Sequence, residues 1–529
     1  MSNRTRAVAT PLLLAAAAAA AVSACLSSCS RGGSADSRNL VVVTIDTLRA
    51  DRVGALARDG RSLTPELDRV AAEGARFTRA FSATNITNPS HLTIFSGAYP
   101  KNHAVFGNST RAGGSLTTLA ERLSEAGYAT AGFVSAFHLQ SLSGLERGFD
   151  AFPAPSASEV KGGEAVGRAL EWLAARGADA AGKPFFLWVH LYDPHRPYVP
   201  PDAVARRVLP EDAGPVEDLE KRLSSAPNRE RDAVAERSGV SEAEIRAFMK
   251  DWKKAGKGVA ELAALESGPP DALATRVARA VAARRGIVGG SAWTEPDRAA
   301  MALLYDAEVA SADRELGPLF AALRQDGLRE TTHLVVTSDH GENLGDHGIF
   351  FNHRGIFDTT LHVPLSIGGP GIPAGTVIGE PAHHVDLVPT VLDLLGRPAA
   401  RGADGVSLAP LVRREAAALA PRLLFHENAY EIARAVRDGR WKYVDPVPIE
   451  ALSNRLRNEL WHEEALFDTD ADPGESADVA AGNADVRERL SRVLRGFRAL
   501  APRFPIDADS KTDLSPEIRE RLRQLGYVY

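Results

Sequence analysis

Residues 39–46 read Asn-Leu-Val-Val-Val-Thr-Ile-Asp. The run is apolar and largely β-branched, with no polar–apolar alternation, which is the pattern of a strand covered on both faces. It ends on a carboxylate, Asp46. Residues 128–135, 185–190 and 333–337 have similar strand character. Between and before them lie segments of helical period at 64–75, 116–126 (closed by Gly127), 165–176 and 301–323. This alternation predicts an α/β fold, a doubly wound and mostly parallel sheet with helices on both faces. Such sheets take their ligands at the carboxyl ends of the strands. Asp46, His190 and the pair Asp339-His340 all stand at or just past predicted strand ends, so the fold alone gathers them into one region.

Residues 84–103 carry the next signal: Thr-Asn-Ile-Thr-Asn-Pro-Ser-His-Leu-Thr-Ile-Phe-Ser-Gly-Ala-Tyr-Pro-Lys-Asn-His. Pro89 fits a first helical turn, where its missing N–H costs nothing. Thr87, two positions earlier, is thereby placed at or beside a helix N-terminus. Free N–H groups and the positive end of the helix dipole make an anion site there. A hydroxyl aimed into such a site suits a nucleophile for a sulfate or phosphate ester.

This segment resembles the Cys-x-Pro-Ser-Arg signature of the sulfatases, within the alkaline phosphatase superfamily. The resemblance continues in order along the chain. Residues 39–54 look like the family's opening strand and first metal ligand, and 184–201, with His190-Leu-Tyr-Asp-Pro-His-Arg-Pro, like its mid-chain histidine segment. Residues 337–347, Thr-Ser-Asp-His-Gly-Glu-Asn-Leu-Gly-Asp-His, resemble its second metal segment. Stretches at 362–365 and 385–396 resemble later core segments, and those at 438–443 and 466–475 its C-terminal subdomain. Four positions depart from the family pattern. Thr87 stands where a cysteine or serine is oxidised to formylglycine, and a secondary alcohol cannot give that aldehyde. His91 replaces the signature arginine, Thr47 the second N-terminal aspartate, and residues 133–139 lack the lysine of the Gly-Lys-Trp-His segment.

The resemblance implies that Asp46, Thr87, Asp339 and His340 hold one divalent cation. Carboxylates suit Ca²⁺, Mg²⁺ or Mn²⁺, and an imidazole shifts preference toward Mn²⁺ or Zn²⁺. His91 and His190 are candidates for stabilising transition-state charge or protonating the leaving group, as are His195, His347 and His353. If Asp193 or Asp346 joined one of the latter three, a second metal would be possible. A threonine ester has no elimination route open to it, so water or an acceptor alcohol must displace the covalent intermediate. The expected activity is hydrolysis of a sulfate or phosphate ester of an anionic small molecule or glycan, with phosphate mono- or diesters and phosphonates favoured chemically. Two alternatives are a phosphoethanolamine-type phosphotransferase and a non-catalytic surface protein that binds an anionic glycan.

The remaining features set bounds. The chain has 529 residues, with 44% hydrophobic and 25% charged content, as in a folded protein too long for one ordinary domain. A net charge of −6 argues against a nucleic-acid partner. It also means that an anionic substrate must be attracted locally. Arg4 and Arg6 precede a short apolar run at 11–22, the pattern of a signal-peptide core rather than a membrane span. Cys25 and Cys29, the only cysteines, follow in lipobox-like settings. A bacterial lipoprotein, periplasmic or associated with the outer membrane, is expected; a plain secretory signal is the alternative. With no other cysteine, the body has neither a disulfide framework nor thiol catalysis. The predicted organisation is a signal segment and tether at 1–38, an α/β catalytic domain at 39–420 and a smaller α+β subdomain at 421–529. A charged, Ala-rich helical insertion at about 206–298 is read either as a feature of the site entrance or as a surface bundle.

Overall fold

The computed structural model describes residues 38–507, apart from 140–142, 154, 156–157, 180–182, 226–239, 255–264, 266–268, 270, 287–292, 326, 429–432 and 447–463. The segments carrying Cys25 and Cys29 lie outside the described residues. The main sheet has eight strands: β1 (Asn39–Ile45), β2 (Ala75–Phe81), β3 (Ala129–Val134), β4 (Phe185–Leu191), β5 (Thr332–Ser338), β6 (His362–Gly368), β7 (Thr376–Ile378) and β8 (Ala382–His383). Their order is β8-β2-β6-β5-β1-β4-β3, with β7 paired to β2. β1 sits at the centre, parallel to β4 on one side and β5 on the other. β6 runs antiparallel to both of its neighbours. The expected α/β sheet is therefore present and mostly parallel.

Alternation along the strands divides the core. Val41, Val43 and Ile45 of β1 and Leu187, Val189 and Leu191 of β4 face one layer. Helices α1 (Pro65–Glu73), α4 (Gly162–Asp179) and α5 (Glu295–Leu323) build that layer. Leu40 and Val42, with Phe186 and Trp188, face the other. This second layer holds α2 (Thr87–Ser96), α3 (Leu119–Glu125) and α6 (Leu387–Leu394). Because side chains alternate with period two, Asp46, His190 and Asp339 inherit the α2 face. All ten residues of α2 are buried, and Gly97, at φ 72°, ends the helix by donating its N–H to Thr93 O. That left-handed conformation is one in which glycine pays no Cβ penalty.

In the 206–298 segment the described parts include the helices Val216–Ser224, Glu242–Lys254 and Leu273–Gly286. After residue 421 comes an antiparallel sheet of β9 (Leu424–Glu427), β10 (Ala433–Asp438), β11 (Trp441–Pro446) and β12 (Ala465–Asp468). Its apolar face is covered by α7 (Ala484–Ala499) through Leu490 and Leu494. This sheet is tied to the main one just before α2, where Glu427 N donates to Ala83 O at 2.8 Å. Among the described residues, no helix is long and apolar enough to cross a membrane.

Candidate functional site

Strand ends and one helix start converge at a single point. β1 delivers Asp46, held by its own N–H on Leu191 O at 2.9 Å. The chain then turns sharply at Thr47, a non-glycine residue at φ 56°. Thr47 N donates to Asp339 Oδ1 at 3.2 Å, and Leu48 N donates to Ser338 Oγ at 2.9 Å. These bonds lock the β1 and β5 ends together. Thr87 is the first residue of α2, as expected from Pro89. Ser90, one helical turn on, donates its hydroxyl to Asp339 O at 2.7 Å and so fixes the helix against β5.

Within this frame Thr87 Oγ1 lies 3.5 Å from His340 Nε2. His340 Nε2 lies 3.5 Å from Asp339 Oδ2 and 3.9 Å from Asp46 Oδ1. Asp46, Asp339 and His340 offer ligand atoms all within 4.8 Å of one another. The three residues and Thr87 are fully buried. Both carboxylate oxygens of Asp46, and Oδ2 of Asp339, lack a hydrogen-bond partner among the described residues. Burial pushes Asp46 well above the ordinary carboxylate range, and Asp339 beside it adds to the shift. Burial also raises Asp339 to about 6, and lowers His340 to about 4. Stripping water from two carboxylates without pairing them is costly. An oxygen-rich set with one imidazole and orphaned oxygens fits a divalent cation, which would satisfy those atoms and favour their charged forms.

The histidines divide into groups. His91 is buried, with Nδ1 2.8 Å from Thr87 O and Nε2 3.0 Å from Thr44 Oγ1. Trp188 Nε1 donates to the same Thr44 oxygen at 2.9 Å. Thr44 can therefore donate onward to Nε2, while Nδ1–H donates to the Thr87 carbonyl. Burial holds His91 below its ordinary pKa, consistent with this neutral tautomer. Both of its nitrogens are thus engaged in holding α2. His190 is also fully buried, with Nε2 3.9 Å from Asp46 Oδ2. His353 stacks on His340, with ring centroids 4.5 Å apart, and His195 meets His353 edge-on at 5.4 Å. These last two are only partly buried. His347 instead lies flat on Phe357, its ring centroid 3.5 Å away.

The two carboxylates considered for a second metal each have polypeptide donors. Asp193 accepts from Lys161 Nζ and Gly162 N, each at 2.8 Å. Asp346 accepts from an Arg49 guanidinium N–H at 2.7 Å and from Leu344 N at 3.0 Å.

Two site histidines were not singled out from the sequence. His138, fully buried, is lowered to about 3 by burial, with His195, His91 and His340 adding to the shift. The signal was available: the family's Gly-Lys-Trp-His segment ends in histidine, and His138 ends the corresponding stretch. His384 reaches Ser90 Oγ through Nδ1 at 3.3 Å. Nothing in its local sequence points there, since only folding brings the start of α6 beside α2.

A sulfatase family model matches residues 38–397. Choline-sulfatase of Rhizobium meliloti (strain 1021) is 26% identical over 520 residues, covering 87% of this chain and 86% of that protein. Arylsulfatase K of Danio rerio is 34% identical over 212 residues, but the match spans only 39% of this chain and 38% of that protein. Among solved structures, the phosphonate monoester hydrolase of Agrobacterium radiobacter shares the fold with a TM-score of 0.56 at 22% identity, covering 87% of this chain and 95% of that one. The departures at Thr87, His91 and Thr47 leave the strand-end framework unchanged, and the chain belongs to the sulfatase family of ester-hydrolysing enzymes.

Proposed function

We propose that the protein is a metal-dependent hydrolase of sulfate or phosphate esters in which Thr87 is the nucleophile. The observation that carries this reading is the placement of the Thr87 hydroxyl, 3.5 Å from His340 Nε2, at a helix N-terminus beside two buried carboxylates with orphaned oxygens. Asp46, Asp339, His340 and the Thr87 oxygen would hold the ion. When bound, it would lower the pKa of the hydroxyl and neutralise a non-bridging ester oxygen. Thr87 Oγ1 attacks sulfur or phosphorus and the ester oxygen leaves. The positive end of the α2 dipole would stabilise the anion as charge moves onto its equatorial oxygens. The proton leaving Thr87 Oγ1 must reach the departing oxygen, and the partly buried neutral pair His195 and His353 would relay it, accepting it and passing it on. His91 acts differently from the initial expectation: with both nitrogens bonded it orients Thr87 through the backbone carbonyl. Water then displaces the alcohol side chain from the covalent ester and regenerates the enzyme.

A threonine ester favours phosphate mono- or diester or phosphonate substrates, of small-molecule or glycan type. The similar proteins include both ester classes, a choline-sulfatase and a phosphonate monoester hydrolase. The test is a panel of aryl sulfate, phosphate monoester, phosphodiester and phosphonate, each assayed with Ca²⁺, Mg²⁺, Mn²⁺ and Zn²⁺. Turnover of at least one phosphorus ester, dependent on added metal and absent in Thr87→Ala, is expected. Turnover by Thr87→Ala at the wild-type rate would exclude the covalent route and favour a metal-activated water.

We also propose that the chain is exported and anchored through a diacylated Cys25 or Cys29. Mass spectrometry of the mature N-terminus checks this: an unmodified terminus beyond residue 29 rules out the anchor.

A further inference from the structure

His190 closes β4 opposite Thr44 of β1 and Val134 of β3, on the face that carries Asp46. It is fully buried, and neither ring nitrogen has a hydrogen-bond partner among the described residues. A buried imidazole normally finds partners for its nitrogens, so this one is built for a group the polypeptide does not supply.

The geometry points to that group. Nε2 lies 3.9 Å from Asp46 Oδ2, while His340 Nε2 lies 3.9 Å from Asp46 Oδ1. The Asp46 carboxylate is thus flanked by two imidazoles. His190 also shares a cluster with Asp339 and His91 whose ligand atoms lie within 4.8 Å of one another. Two donors each about 2.0–2.2 Å from one ion lie roughly 3–4 Å apart, the separation seen here. His91 is the poorer donor of that cluster, because both its nitrogens are bonded to Thr87 O and Thr44 Oγ1. His190 has no such engagement.

We propose that His190 is a direct ligand of the divalent ion. The donor set then comprises two imidazoles, two carboxylates and the Thr87 hydroxyl. The second imidazole tilts the site toward Zn²⁺ or Mn²⁺ and away from Ca²⁺, which prefers an all-oxygen shell. This deepens the metal-dependent reading above and rests on it.

The test uses metal binding alone, without substrate. The purified protein is stripped with a chelator and titrated calorimetrically with Zn²⁺, Mn²⁺ and Ca²⁺, and bound metal is counted after gel filtration. His190→Gln should lose about 100-fold in Zn²⁺ and Mn²⁺ affinity, consistent with removing a nitrogen donor, with Ca²⁺ affinity changed less than threefold. Asp339→Asn should lose all three ions. If His190→Gln binds Zn²⁺ and Mn²⁺ like wild type while Asp339→Asn does not, the His190 assignment is overturned and the metal reading stands. If Asp339→Asn also binds like wild type, the metal reading itself fails. Should His190→Gln misfold, X-ray absorption of the Zn²⁺-loaded wild-type protein decides: two imidazoles in the coordination shell support the proposal and one overturns it.

Discussion

Asp339 and Asp358 are both carboxylates taken largely out of water, and the protein treats them in opposite ways. Asp358 accepts two N–H groups from Arg437, at 2.5 and 2.7 Å, and one from Lys442 at 2.9 Å. Lys442 in turn lies 2.6 Å from Glu475, and both are buried. Burial alone would raise Asp358, yet Arg437 and Lys442 hold it well below the ordinary carboxylate range. Asp339 and Asp46 have no such cations among the described residues, and burial drives both up. The paired cluster joins the C-terminal sheet to the segment before β6, and its Asp358 carboxylate is met by cations of the polypeptide itself. The strand-end cluster leaves carboxylate oxygens of Asp46 and Asp339 unmet among the described residues, which is the arrangement of a candidate cation site. Satisfied buried charge marks architecture; unsatisfied buried charge marks a site.

The contrast can be broken most severely at Thr87. Thr87→Ala should lower kcat by about 10³-fold or more, since losing a nucleophile commonly removes several orders of magnitude. Its fold should persist by circular dichroism; retained turnover would show that the incomplete cluster does not use this hydroxyl. The paired cluster should fail in stability instead. Asp358→Ala takes the carboxylate from Arg437 and leaves Lys442 with Glu475 alone, and it should cost about 3–5 kcal/mol in denaturant unfolding, the range for breaking a buried pair. A cost near zero would mean that water already reaches the cluster. Asp339→Asn should do the reverse. It abolishes metal-dependent activity, yet leaves the metal-free protein equally or more stable, because it removes an unpaired buried charge. Marked destabilisation of the metal-free variant would make Asp339 architectural as well.

The smallest effect is in pH. Burial lowers His138 and His384 to about 3, and His195 and His340 to about 4. A depressed folded pKa gives stability that is present above the unfolded value near 6.5 and lost as pH falls toward 4. Asp339 has the opposite sign: its contribution is present below about pH 4 and lost as pH rises through about 6, and Asp46 shifts in the same direction. Bound metal should abolish only this second loss. Denaturant midpoints of the stripped protein should therefore fall between pH 6.5 and 4, and added Zn²⁺ should raise stability more at pH 7 than at pH 5. Equal stabilisation by metal at both values would remove the carboxylates from the ion's shell.

The sequence alone determined the strand-end logic. The β-branched run into Asp46, the apolar run into His190 and the run into Asp339-His340 each state where a strand stops, and Pro89 states where α2 begins. Those are local facts, written in covalent order and hydrophobic pattern. Strand β2, Ala-Arg-Phe-Thr-Arg-Ala-Phe, was not legible as a strand, because its alternating charges reflect pairing with β6 and β7 that local order does not reveal. The antiparallel direction of β6 was hidden for the same reason. Only the tertiary structure decided the chemistry of the histidines. The far nitrogen of His91 is met by Thr44, distant in the chain, whose hydroxyl oxygen in turn accepts from Trp188. His347 is drawn onto Phe357, while His384 arrives from a segment with no local signal. Register and packing fix which nitrogen of a histidine faces a partner, and a single sequence records the imidazole without recording its neighbours.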